Sequence, residues 1–177
     1  MKLVILDRDG TINRDSDHYI KSPAEWKPLK GSLEAIARLT QAGYRVVIAT
    51  NQSGLARGLF DMTTLNAIHD SLQHAAQQAG GRIDAIFFCP HAGDADCACR
   101  KPRPGMLLEI AKRMNVPLEG VPMVGDSLRD LQAAAAAGAR PVLVLTGKGR
   151  QTREAGGLPP GTQVFADLAA FAAQLAP

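Results

Sequence analysis

The sequence predicts an α/β protein, a Rossmann-like parallel sheet with helices on both faces in three layers. Three observations predict it. Five short apolar segments rich in branched residues alternate with stretches of helical periodicity. The segments are apolar runs, as expected for strands buried on both faces. Several of them end abruptly in polar residues, where open parallel sheets bind ligands.

The first strand is Leu3–Leu6, and it runs straight into Asp7-Arg-Asp9-Gly-Thr11. Residues 13–30 follow as a long, polar, aperiodic loop interrupted by Pro23 and Pro28, of a length that inside a compact domain is more often functional than a plain surface connection. Ser32 is expected as the N-cap of a helix carrying Leu33, Ile36, Ala37 and Leu39, with Gly43 at its end. The second strand is Tyr44–Ala49, leading to Thr50-Asn-Gln-Ser-Gly54. A helix over 63–79 places Leu65, Ile68, Leu72 and Ala75 on one stripe. Its His69 and His74 stand apart from other ligand types and are read as surface or packing residues. The third strand, Ala85–Phe88, enters a cysteine cluster. Pro104 suits the first turn of a helix running to Met114. A fourth strand at Val121–Val124 ends in Gly125-Asp-Ser127, and an alanine-rich helix over 130–137 stops at Gly138. A fifth strand at 141–145 leads into the basic, Gly-rich Thr146–Arg150. A short segment at Val164-Phe165 and a helix over 168–175 close the chain.

No repeat or low-complexity linker divides these elements. One domain spanning residues 1–177 is expected, without a large cap and with a small zinc-bound loop. The chain has 177 residues, 46% of them hydrophobic and 21% charged, the composition of a globular protein. No apolar run approaches the ~20 residues of a membrane helix, and the N-terminus enters a strand directly, so a cytoplasmic protein is expected. A net charge of +3, not gathered into runs, argues against nucleic acid. It leaves room for a small phosphorylated substrate held by local cations. A monomer is the expected state.

Parallel strands bring their carboxyl ends to one edge. Asp7 and Asp9 then meet Thr50 and Asn51, Arg100 and Lys101, and Asp126 with Asp130 one helical turn on. Two carboxylates at one strand end repel unless a cation or a reaction compensates them. Several carboxylates with few histidines suit Mg²⁺, and a lysine beside them suits a phosphoryl oxygen. A carboxylate can attack phosphorus once both negative charges are neutralised. Mg²⁺ and Lys101 would neutralise them, while Thr50 holds the remaining oxygens. Asp9 would protonate the leaving alkoxide and later deprotonate water. Asn51, Gln52 and Ser53 add donors suited to an anion.

These segments, in this order, resemble the four motifs of the haloacid dehalogenase superfamily of phosphatases. The resemblance implies Asp7 as nucleophile, Asp9 as general acid and base, and Thr50 and Lys101 as phosphoryl stabilisers. It implies Mg²⁺ on Asp7, Asp126 and the backbone carbonyl of Asp9, with Asp130 in support.

Cys89, His91, Cys97 and Cys99 lie within eleven residues. They form two close pairs joined by a short spacer, a set that can wrap Zn²⁺ tetrahedrally. Four protein ligands close the coordination sphere, so the ion would be structural and would fix the loop carrying Arg100 and Lys101. Together with Arg100-Lys-Pro102, this cluster is similar to the branch holding heptose bisphosphate 7-phosphatases and histidinol-phosphate phosphatases. In that branch the loop after the nucleophile and the arginine before the lysine read the substrate, which implies Asp15, Ser16, Asp17, His18 and Arg100 here.

The heptose reading is favoured, and with it a place in ADP-heptose and lipopolysaccharide core precursor synthesis. Histidinol phosphate is the alternative, since Asp15 and Asp17 could receive its cationic amine. A response-regulator-like phosphoacceptor would need an aspartate after the third strand, where Cys89-Pro90 stands. A sugar-phosphate binder without catalysis would gain nothing from Asp7.

Overall fold

The computed structural model describes residues 1–177. Six parallel strands form one sheet: β1 (Lys2–Leu6), β2 (Tyr44–Asn51), β3 (Ala85–Cys89), β4 (Pro122–Gly125), β5 (Arg140–Val144) and β6 (Gln163–Phe165). Their order is β3-β2-β1-β4-β5-β6. The chain winds outward from β1 in both directions, so β1 and β4 flank the point where the winding reverses. Open α/β sheets bind ligands at that crevice.

The helices are α1 (Ser32–Gln41), α2 (Met62–Gln78), α3 (Gly105–Met114), α4 (Leu128–Ala136), α5 (Gly149–Ala155) and α6 (Leu168–Leu175). Alternation along the strands divides the core between the two faces. Val4, Leu6, Val46 and Ile48 meet α1, α2 and α6 through Ile36, Leu39, Ile68, Leu72 and Phe171. Leu3, Ile5, Val47 and Ala49 meet α3 and α4 through Met106, Leu107, Ile110, Ala133 and Ala134. Both faces of each central strand are therefore apolar, which is the three-layer arrangement expected.

Several local features differ from the sequence expectation. Gly31, at φ 79°, occupies the N-cap of α1, and Ser32 opens the helix. The Ser32 hydroxyl donates instead to the carbonyls of Ile12 at 2.6 Å and Leu29 at 2.9 Å, tying the two ends of the long loop together. That loop is no plain surface excursion, because Ile20 and Trp26 are buried in the core. Asp130 does not begin α4. Ser127 precedes the helix, and its N–H and hydroxyl both donate to Asp130 Oδ2, an N-terminal capping arrangement. The Gly-rich stretch after β5 is a turn over 146–148 that runs into α5 at Gly149. No helix is long and apolar enough to cross a membrane.

Candidate active site

The carboxyl ends of β1, β2 and β4 open into one cleft of about 360 Å³ whose lining is almost entirely polar. Asp7, Asp9, Asp15, Ser16, Asp17, Thr50, Asn51, Ser53, Arg100, Lys101, Asp126 and Asp130 all line it. His18 and Gln52 do not. His18 is exposed, and Gln52 is buried behind Thr50, donating to Thr50 Oγ1 at 2.9 Å and to Asp9 Oδ2 at 3.3 Å.

Lys101 is almost wholly buried, and its ammonium has three partners. It donates to Asp7 Oδ1 at 2.9 Å, Asp130 Oδ1 at 2.6 Å and the Ala49 carbonyl at 2.7 Å. Burial opposes its charge, but Asp130 and Asp7 outweigh burial and raise its pKa. Both oxygens of Asp130 are thus taken, one by Lys101 and the other by Ser127.

Asp7, Asp126 and Asp130 bring carboxylate oxygens within 4.8 Å of one another. Burial, then the charge of Asp130, push Asp7 up to about 7 despite Lys101. Burial, then Asp7 and Asp130, push Asp126 up to about 8. Two carboxyls held so far above their ordinary range are the signature of a site that lacks positive charge. The Asp9 carbonyl, on the same turn, accepts no hydrogen bond from the protein. Hard oxygen donors with surplus negative charge and a free carbonyl fit Mg²⁺.

Asp126 is gripped from the β5–α5 turn. The Lys148 N–H donates to its carboxylate at 2.8 Å, and the Thr152 hydroxyl donates to its carbonyl at 2.8 Å. The turns meet closely: a Cβ on Gly10 (φ 81°) or Gly147 (φ 54°) would collide with the Asp126 carboxylate. Only glycine tolerates both the backbone angle and the approach.

Asp9 is turned toward a different set of groups. The Arg8 guanidinium donates to both its oxygens, at 2.8 and 3.1 Å, and Asn13 donates at 2.9 Å. Burial works to raise its pKa, but Arg8, Asn13 and Gln52 together hold it below the usual carboxylate value.

At the far side, Cys89, His91, Cys97 and Cys99 converge. Sulfur and Nδ1 atoms lie 3.4 Å apart for Cys89–His91 and 3.3 Å for His91–Cys99, with 3.9 Å between the sulfurs of Cys89 and Cys97. Tetrahedral Zn²⁺ with ordinary bond lengths has ligand edges of ~3.5–3.8 Å, so the spacing fits the ion. The thiols also respond to one another. Burial opposes ionisation of Cys97, but hydrogen bonds from Arg100, Cys89, Cys99 and His91 bring it down to about 7. Burial and the two other cysteines push Cys99 up to about 12. A bound cation would let Cys97 and Cys99 ionise together. Arg100 reaches back to this loop and donates to the His91 carbonyl at 3.3 Å.

The sequence reading missed Tyr19, Arg57, Arg129 and Lys148, which also line the cleft. Tyr19, Arg57 and Lys148 are lone residues in loops or turns, and Arg129 stands in the first turn of α4; the one local signal of each is its place just beyond a strand end or within the long loop. Lys148 faces Asp15 at 3.5 Å and Asp17 at 3.9 Å. Arg57, Arg100 and Arg129 have no carboxylate within ion-pair distance.

Comparison with known proteins adds to this geometry. A sequence model of the HAD-hydrolase-like family matches residues 98–171. A D-glycero-beta-D-manno-heptose-1,7-bisphosphate 7-phosphatase of Bordetella bronchiseptica is 67% identical over 175 residues, covering 99% of this chain and 98% of that protein. A protein of the same name from Pseudomonas putida is 55% identical, covering 99% of each. The crystal structure of D,D-heptose 1,7-bisphosphate phosphatase from B. bronchiseptica, complexed with magnesium and phosphate, matches with a TM-score of 0.98 over 99% of this chain and 98% of that one.

Proposed function

The chain belongs to the HAD-like family of D-glycero-β-D-manno-heptose-1,7-bisphosphate 7-phosphatases, and from that premise we propose that it hydrolyses the 7-phosphate of this sugar bisphosphate. The observation that carries the reading is the pairing of two features in one cleft. Asp7 lies 2.9 Å from a buried lysine at the sheet's switch point, and three guanidinium groups without a carboxylate partner line the same cleft. The first suits phosphoryl transfer and the second suits another phosphate. Histidinol phosphate has one phosphate and a cationic amine, so the arginines disfavour it, as do the relatives' names.

Mg²⁺ would be held by Asp7, Asp126 and the Asp9 carbonyl, and when bound it neutralises the charge that otherwise keeps carboxylate and phosphate apart. Lys101 fixes one Asp7 oxygen and leaves the other to attack phosphorus. The bond from phosphorus to the sugar oxygen breaks as the bond to Asp7 forms. Thr50 Oγ1 and Lys101 Nζ face the phosphoryl oxygens. An anionic substrate beside Asp9 opposes Arg8 and raises the proton affinity of the carboxyl. Its proton goes to the departing alkoxide. Asp9, again a carboxylate, takes a proton from water, which attacks phosphorus and releases Asp7.

Asp15, Ser16, Asp17 and Ser53 face the sugar, and Arg100 with Arg57 and Arg129 holds the distal phosphate. Cys89, His91, Cys97 and Cys99 would hold Zn²⁺, which would order the loop bearing Arg100 and Lys101. The same reading places the protein in the cytoplasm as a monomer, in lipopolysaccharide core precursor synthesis.

A phosphate-release panel with Mg²⁺, comparing the heptose bisphosphate, histidinol phosphate and common sugar monophosphates, tests the assignment. The heptose bisphosphate is expected to lead by at least about tenfold in kcat/KM. Preference for histidinol phosphate overturns it.

A further inference from the structure

Arg8 is a fully buried cation whose part in the reaction above is confined to the charge it sets against Asp9. It follows Val4 and Leu6 on the sheet face covered by α2, and there it meets His69, a residue distant in sequence. Arg8 Nη1 lies 3.1 Å from His69 Nε2. Nε and Nη2 of the same guanidinium hold the two oxygens of Asp9. His69 is itself buried, its ring tilted against Phe88 with centroids 6.4 Å apart. Burial, then the charge of Arg8, bring its pKa down to about 4. It is therefore neutral at ordinary pH, and a neutral ring can offer the Nε2 lone pair to Arg8 while Nδ1 carries the proton.

A planar guanidinium transmits position. Its donors form a rigid fork, so fixing Nη1 on one side fixes the orientation of Nε and Nη2 on the other. A buried guanidinium donor without an acceptor is costly, so removing the acceptor would make Arg8 turn to find another. Asp9 would turn with it.

We infer that His69 is a positioning residue, holding Arg8 so that Arg8 aims the Asp9 carboxyl at the leaving oxygen. The inference rests on the reading of Asp9 as proton donor to that oxygen. His69 does not line the cleft.

The test uses a property that partial misfolding cannot mimic. An alkoxide leaving group needs a proton; p-nitrophenolate does not. The ratio of kcat/KM for heptose bisphosphate to that for p-nitrophenyl phosphate is measured on the magnesium-loaded full chain, so the fraction of folded protein cancels. His69→Leu is expected to lower this ratio about tenfold, a part of the range a general acid contributes. His69→Gln, whose amide oxygen can replace Nε2 as acceptor, is expected to stay within about twofold of the natural protein. Asp9→Asn is measured alongside and is expected to lower the ratio further. An unchanged ratio in His69→Leu, with a lowered one in Asp9→Asn, overturns the positioning role alone. Equal damage in His69→Gln and His69→Leu also overturns it. An unchanged ratio in Asp9→Asn overturns the reading of Asp9 and the positioning role with it.

Discussion

Asn51 grips the backbone of Lys101 from both sides. Its amide nitrogen donates to the Lys101 carbonyl at 3.0 Å, and its amide oxygen accepts from the Lys101 N–H at 3.1 Å. The last residue of β2 thereby fixes the start of a segment that has no regular structure, and with it the ammonium that reaches Asp7. Asn51 lines the cleft, yet most of its hydrogen-bonding capacity is spent on this clamp.

Asn51→Ala is accordingly expected to act through Lys101. Two hydrogen bonds at about 1 kcal/mol each are lost, so a drop of about 2 kcal/mol is expected in urea unfolding. With Lys101 loosened, kcat is expected to fall about tenfold or more, and KM to change less. Loss of substrate affinity at unchanged kcat would instead make Asn51 a direct substrate contact.

Metal binding is expected to depend on pH. Asp7 and Asp126 have folded pKa values of about 7 and about 8, well above an ordinary carboxyl. A raised folded value contributes stability that is complete below the unfolded pKa of ~4 and is lost as pH rises through ~7 to ~8. The metal-free protein is therefore expected to lose stability as pH rises across that window. Mg²⁺ binds the ionised forms, so the rise in Tm it produces is expected to be larger at about pH 8 than at about pH 6, with proton release on binding. Calorimetry in two buffers of different ionisation enthalpy checks the release. Mg²⁺ affinity that stays flat across the window contradicts the role of these two carboxylates.

The Cys₃His cluster should couple metal to activity. Arg100 donates to the His91 carbonyl, and Lys101 stands two residues after Cys99. Cys97→Ser or Cys99→Ser is expected to remove zinc, measured by elemental analysis, and to lower both Tm and kcat/KM, the latter at least about tenfold. A zinc-free variant with full turnover would show that the loop holds its shape without the ion.

The parts of the fold and site that were legible in the sequence are those written in contiguous patterns. Apolar runs ending in Asp7, Thr50 and Asp126 reveal strand ends, and parallel strands share an edge, so their convergence follows from topology. The cysteine and histidine spacing is equally local. What escaped depends on distant partners. Arg8 reads as an ordinary charged residue until α2 brings His69 against it. Arg57 is a single cation in a turn and Arg129 one at the start of α4, and nothing adjacent distinguishes them from solvated ones. Gly147 and Gly149 suggest an open loop, whereas the chain forms α5 and grips Asp126. Gln52 and His18 were expected at the substrate. Gln52 is drawn behind the site by Thr50 and Asp9, and His18 turns outward.

The central claim is that Asp7 carries the phosphoryl group. Turnover of the heptose bisphosphate with Mg²⁺, quenched and reduced with borohydride, converts an acyl phosphate to an alcohol that peptide mass spectrometry can locate. The account predicts homoserine at Asp7, and its absence when substrate is omitted. Reduction at Asp9, Asp126 or Asp130, or no reduced residue while phosphate is being released, would contradict it.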